Sequence, residues 1–182
     1  MLVNWLLSSC WDVHTFMVPV LGIERGLSAA VIGSIVGAYA LAAAAIRVVM
    51  PFVAERLSEW RVLVGAMLAT AALFSIYPFM PSALAMGTCS VLLGFALGTV
   101  QPMIMSMLHQ ITPEARHGEA LGLRLMTLNA SSVVMPMLFG SAGLLVGTAG
   151  VFWFCGAIVG TGARAAWQLK NSLLAKSTTH SL

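Results

Sequence analysis

The sequence predicts an all-α, polytopic membrane protein built from six transmembrane helices, and three observations carry that reading. First, the chain of 182 residues is 59% hydrophobic and only 8% charged, with a mean hydropathy of +0.94. Soluble domains run near about 25% charged. A soluble fold of this length cannot hide so much apolar surface, so lipid must be its solvent. Second, the apolar residues fall into six unbroken runs of about the 17–25 residues that a helix needs to span the hydrocarbon core. A β-barrel is excluded, because its strands would alternate over about 10 residues. Third, six spans put both termini on one side and divide the basic residues unevenly. Arg47, Arg56, Arg61, Arg116, Arg124, Arg164, Lys170 and Lys176 share the side of the termini, and Arg25 stands alone on the other. The positive-inside rule then makes both termini cytoplasmic.

The first segment covers residues 1–21. It is apolar enough to cross a bilayer, yet Asp12 sits near its middle. An ionised carboxylate at that depth costs about 2.5–3.5 kcal/mol on insertion scales, so it must face a partner, a polar cavity or water. A short turn over residues 22–27 follows, and Ser28 is placed to cap a second helix over 28–52. The polar stretch 54–61 leads to a third helix over 60–79, closed by Pro78 and Pro81 in a tight turn. The fourth helix is expected over 83–108, where Pro102 removes a backbone donor and bends it. The longest polar loop, residues 109–118, precedes the fifth helix over 119–146. A Gly147-Thr148-Ala149-Gly150 turn leads to the sixth over 151–167. Residues 1–170 thus form the bundle and 171–182 a polar, frayed cytoplasmic tail.

Several function classes drop out. The basic residues of this +3 chain are scattered, which argues against a nucleic-acid partner. Cys10, Cys89 and Cys155 all lie in apolar runs with no zinc-ligand spacing, so buried thiols are expected and neither a metal nor another cofactor. Leu7-Ser8-Ser9-Cys10 has the look of a lipoprotein cleavage box, but no basic residue precedes it and its apolar region is too short. GxSxG, HExxH and P-loop motifs are all missing, and Gly140-Ser141-Ala142-Gly143 is not a serine-nucleophile box. An enzyme is therefore not expected. Small residues four apart (Gly33 and Gly37, Gly94 and Gly98, Gly143 and Gly147, Gly156 and Gly160) let helix backbones approach closely. Packing within one bundle is favoured over dimerisation.

Candidate chemistry gathers on the first, second, fourth and fifth helices. At about 100° per residue, Asn4, Ser8, Trp11 and Thr15 fall within about 60° of arc, with Asp12 at its edge. This polar stripe is expected to face the bundle interior or a water-filled path. Asp12 could carry protons, balance a substrate charge or hold a donor on a neighbouring helix. His14 projects about 160° away from Asp12, so the two cannot pair. Arg47 could snorkel to the interface, or form a salt bridge to Glu55, to Glu59 or to another half of the protein. Gln101 and Pro102 break the apolar run of the fourth helix, ahead of Met103, Met105 and Met107, and could line a substrate path. The fifth helix carries Arg124 and then Asn129, a candidate for an interhelical hydrogen bond of about 0.6–2 kcal/mol.

The loop Pro51-Phe52-Val53-Ala54-Glu55-Arg56-Leu57-Ser58-Glu59-Trp60-Arg61-Val62-Leu63 resembles the G-x-L-A-D-R-x-G-R-R-x-x-L loop of the major facilitator superfamily. Ala54, Arg56 and Leu63 match, and Glu55 stands for the Asp; Pro51 and Ser58 replace both glycines, and Glu59 a basic residue. Residues 94–140 are similar to the tenth helix, cytoplasmic loop and eleventh helix of bacterial members. Thr112 to Ala120 corresponds to the loop, and Gly122-Leu123-Arg124 to the start of the next helix. Trp11-Asp12-Val13-His14-Thr15-Phe16 is similar to the seventh helix.

Members have about twice this length, so the resemblance implies the carboxyl-terminal half of a twelve-helix fold. In such a half the first and fourth helices line the central cavity, the second and fifth meet the other half, and the third and sixth face lipid. Asn4, Trp11, Asp12 and Thr15 would then face Gln101 and Met105. Arg47, Glu55, Arg56, Arg124 and Asn129 would lie at the half-interface or act in gating. The implied function is secondary active transport of a small solute by alternating access across a bacterial inner membrane, and Asp12 makes proton-coupled efflux the expectation. The implied partners are the bilayer, the solute, protons and an amino-terminal half. The competing expectation is a six-helix assembly partner that moves no solute.

Overall fold

A computed structural model describes residues 2–54, 59–111 and 116–179. Among them there are helices and turns and no strand. The chain is an all-α bundle of a polytopic membrane protein. Among the described residues five helical stretches are long and apolar enough to cross a membrane: Ala29–Met50, Trp60–Phe79, Ala83–Ser106, His117–Ser141 and Leu145–Ala163. The helix that precedes them adds a sixth rod.

That first helix, α1 (Leu2–Glu24), ends because Gly26 takes φ 71°. The Gly26 N–H donates to the Ile23 carbonyl at 2.9 Å and the Leu27 N–H to the Gly22 carbonyl at 2.9 Å. This is a Schellman cap, which needs a residue without a Cβ at the left-handed position. The next helix, α2 (Ala29–Ala54), begins as expected behind Ser28, whose Oγ accepts from the Val31 N–H at 3.4 Å. The third, α3 (Glu59–Ile76), closes through a 3-10 turn at Tyr77–Phe79. Ser82 then caps α4 (Ala83–Gly98), its Oγ accepting from the Ala85 N–H at 3.2 Å.

The fourth membrane segment is interrupted, as Pro102 predicts. The helix α4 stops at Gly98, the residue whose carbonyl a donor at position 102 would have bonded, and α5 (Val100–Ile111) continues the rod. The last helical stretch, α6 (His117–Thr179), breaks only at Gly147, where φ is 74° and ψ is 166°. A four-residue turn over 147–150 is thus reduced to a single kinked glycine. The second arm of α6 also continues to Thr179, beyond the end expected at 167. Residues 168–179 carry no Gly or Pro to stop it and include good helix formers such as Leu, Lys and Ala.

Packing explains one of the glycine pairs, Gly94 and Gly98, and the first member of another, Gly156. The helix α4 lies against α2 so closely that a Cβ on Gly94 would sit 2.5 Å from the Tyr39 carbonyl oxygen, and one on Gly98 2.9 Å from the Ala43 Cα. Gly156, on the second arm of α6, meets the Ala71 carbonyl of α3 in the same manner, at 3.3 Å. Gly33 and Gly37 instead face open space. The first arm of α6 packs on α1 and the second on α3, where Phe152 sits between Phe74 and Tyr77. At one end of the bundle three connections are tied together. Thr148 donates to the Glu24 carboxylate at 2.7 Å, and Arg25 donates to the carbonyls of Pro78 and Met80. The cysteines Cys10, Cys89 and Cys155 are buried free thiols.

Candidate solute site

A cavity of about 350 Å³ lies between α1, α2, α4, α5 and α6. Its apolar walls are Leu7, Leu97, Val100 and Leu128. Its polar groups are Ser8, Trp11, Arg47, Gln101, Asn129 and Ser132. Helical spacing on α1 brings Leu7, Ser8 and Trp11 to this one face. The break at Pro102 sets Gln101 at the junction of α4 and α5.

Two contacts shape the polar wall. The Arg47 guanidinium lies over the Trp11 ring, 5.0 Å from its centroid, a cation–π distance. Behind Gln101 stands Arg124, which is only 7% exposed. Its guanidinium donates to Gln101 Oε1 and reaches the Met105 sulfur at 3.3 Å. With its oxygen engaged this way, the Gln101 amide keeps its N–H donors for other partners.

Asp12 occupies a neighbouring position. It is turned toward Ser131 of α6 rather than lining the cavity. Ser131 is itself 3.4 Å from the Ser9 hydroxyl, so a small polar seam joins α1 to the first arm of α6. Within that seam Asp12 Oδ2 is buried with no hydrogen-bond partner among the described residues. A buried unpaired carboxylate oxygen is costly.

Of the residues singled out in the sequence, Trp11, Arg47, Gln101 and Asn129 share this cavity. Met105 and Arg124 lie behind it. Thr15 is exposed and turns back on its own helix, donating to the Trp11 carbonyl at 2.9 Å. The side chain of Asn4 lies outside the described residues, as do Glu55 and Arg56.

The sequence reading missed a second polar group, at the centre of the bundle. His14 is fully buried and its Nε2 lies 3.0 Å from the Ser90 hydroxyl, which in turn lies 2.8 Å from the Tyr77 hydroxyl. The imidazole stacks on Tyr39 at a centroid distance of 3.9 Å. Its partners are spread over α2, α4 and the turn after α3. Only the scatter of Ser and Tyr through apolar runs could have hinted at them.

The profile of the Major Facilitator Superfamily matches residues 1–173. No curated protein matches the chain.

Proposed function

The chain belongs to the Major Facilitator Superfamily, a family of membrane transporters, and from that premise we propose that it works as one six-helix half of a proton-coupled exporter. The observation that carries the proposal is the cavity walled by Trp11, Arg47, Gln101 and Asn129. Hydrogen-bonding groups at the side of an apolar bundle are costly against lipid. The helices that flank them, α2 and the first arm of α6, also expose large apolar side chains, including Leu41, Val48, Leu125 and Met126. A second six-helix half laid over this face would cover both and complete a solute path. Transport is then the rocking of the two halves about a site near the midplane.

Asp12 supports proton coupling. Its Oδ2 is buried with no hydrogen-bond partner among the described residues, on the residue next to Trp11 in the chain. Protonation gives this carboxylate an O–H and removes the charge from an oxygen that is buried without a partner among the described residues. A carboxylate here can therefore exchange protons as access alternates. The sequence resemblance to bacterial members supports placing the chain in a bacterial inner membrane, and the distribution of basic residues supports cytoplasmic termini; export is the direction we propose.

The test is proton-gradient-driven solute accumulation in everted membrane vesicles carrying the complete reading frame. Asp12→Asn should abolish gradient-driven accumulation and leave solute–solute exchange intact. Unchanged gradient-driven accumulation would remove Asp12 from the mechanism. A chain that forms a stable complex with a cognate half and moves no solute would be an assembly partner instead.

A further inference from the structure

We infer that the cavity between Trp11, Arg47 and Gln101 takes a small organic anion, a carboxylate on a compact apolar or aromatic body. The inference rests on the transport reading of the same cavity and adds the charge class of its solute.

Charge comes first. The cavity holds one full charge, the Arg47 guanidinium, and among the described residues no carboxylate lines it. The nearby acid, Asp12, faces Ser131 of α6. Arg47 is itself exposed in this chain, and a cation at the cavity wall favours an anion beside it. A guanidinium adds a planar fork that fits a carboxylate with two parallel hydrogen bonds.

Donor polarity points the same way. Arg124 takes the Gln101 carbonyl oxygen, so the amide group left to the cavity is the N–H end. Were the amide reversed, its N–H groups would confront the buried guanidinium, donor against donor. Arg124 thus acts as a positioning residue: it stays outside the cavity lining and sets the hydrogen-bond polarity of a group within it. Arg47 and Gln101 together make a wall that donates.

Shape and body complete the match. The volume of about 350 Å³ is at the small end of ligand pockets, which run from roughly 300 to 1,000 Å³. The Trp11 ring offers a flat face, and Leu7, Leu97, Val100 and Leu128 offer apolar walls. A single acidic head on a compact body fits; a cation would meet Arg47 with no acid to offset it.

The experiment titrates the purified full chain, in detergent, with benzoate, benzamide and benzylamine as anionic, neutral and cationic probes of one shape, following tryptophan fluorescence at constant ionic strength. Benzoate should bind at least tenfold more tightly than either isostere. Arg47→Gln should lower benzoate affinity to that of benzamide. Arg124→Met, which frees the Gln101 amide to turn, should weaken benzoate severalfold and leave benzamide unchanged or improved. Equal binding of the three probes would overturn the inference, as would benzoate affinity indifferent to Arg47→Gln.

The outcome is separable from that of the transport reading. Charge-selective binding without flux in vesicles removes transport and keeps the site. Proton-driven flux of solutes that is indifferent to Arg47→Gln and to solute charge keeps transport and removes the site.

Discussion

Gly94 of α4 rests on Tyr39 of α2 so tightly that a Cβ at position 94 would lie 2.5 Å from the Tyr39 carbonyl oxygen and 2.9 Å from the Ala42 Cβ. The first obstacle is backbone and cannot swing aside. Gly94→Ala should therefore push α2 and α4 apart and destabilise the bundle by about 1–3 kcal/mol, the usual range for overpacking. Gly33→Ala, on the same small-residue spacing but facing open space, should leave thermal unfolding in detergent unchanged or slightly improved. Equal effects would mean that the close α2–α4 approach is not what the glycines serve.

The Ser90 hydroxyl lies within hydrogen-bond distance of both His14 Nε2 and the Tyr77 hydroxyl, whose rings also meet edge-on at 6.0 Å. Its removal takes away the hydroxyl partner of the buried His14 Nε2 and, among the described residues, leaves the Tyr77 hydroxyl only the longer bond to the Met86 carbonyl, at 3.5 Å. Ser90→Ala should lower stability by about 1–3 kcal/mol, the penalty for orphaned buried groups. Tyr77→Phe removes one partner and leaves Ser90 bonded to His14, so it should cost less. Unfolding midpoints of the two variants decide the order.

Arg124 and Gln101 should be energetically coupled. Gln101→Leu strips the buried guanidinium of the described oxygen acceptor that holds it, at a cost of about 1.5–3 kcal/mol for a hydrogen bond to a charged group. In the Arg124→Met background the same change should be nearly neutral. A double-mutant cycle on unfolding midpoints reads the coupling directly. Additive effects would show that the two side chains act independently.

Gly147 presents a different kind of constraint. Its φ of 74° and ψ of 166° lie in a region that is essentially restricted to glycine, and no neighbour would obstruct a Cβ. Gly147→Ala should thus destabilise through the backbone alone, by about 1–3 kcal/mol. The expected consequence is straightening of α6, seen as loss of the Thr148–Glu24 contact and faster proteolysis at that end of the bundle. An alanine variant as stable as the native chain would mean that the kink is not needed.

The sequence was sufficient for the fold class. Composition forces the chain into lipid, and in lipid backbone groups must bond within their own segment, so long apolar runs become helices. The helix ends at Ser28 and near Pro78, and the break near Pro102, are likewise local chemistry. Trp11, Arg47, Gln101 and Asn129 could each be singled out one by one, because polar residues are conspicuous in apolar runs.

What the sequence could not supply was the partner of each group. Helical spacing fixes the face a residue occupies on its own rod, but not the rotation and offset of one rod against another. Those are set by packing, here by how closely Gly94 and Gly98 let α4 approach α2. Only the tertiary structure therefore decided that Arg47 lies on Trp11, that Arg124 holds Gln101 from behind, and that Asp12 turns to Ser131 instead of the cavity. The same holds for His14, whose neighbours come from distant parts of the chain. The reduction of a four-residue turn to one kinked glycine at Gly147 is also a tertiary result, because the two arms of α6 settle against α1 and α3 respectively.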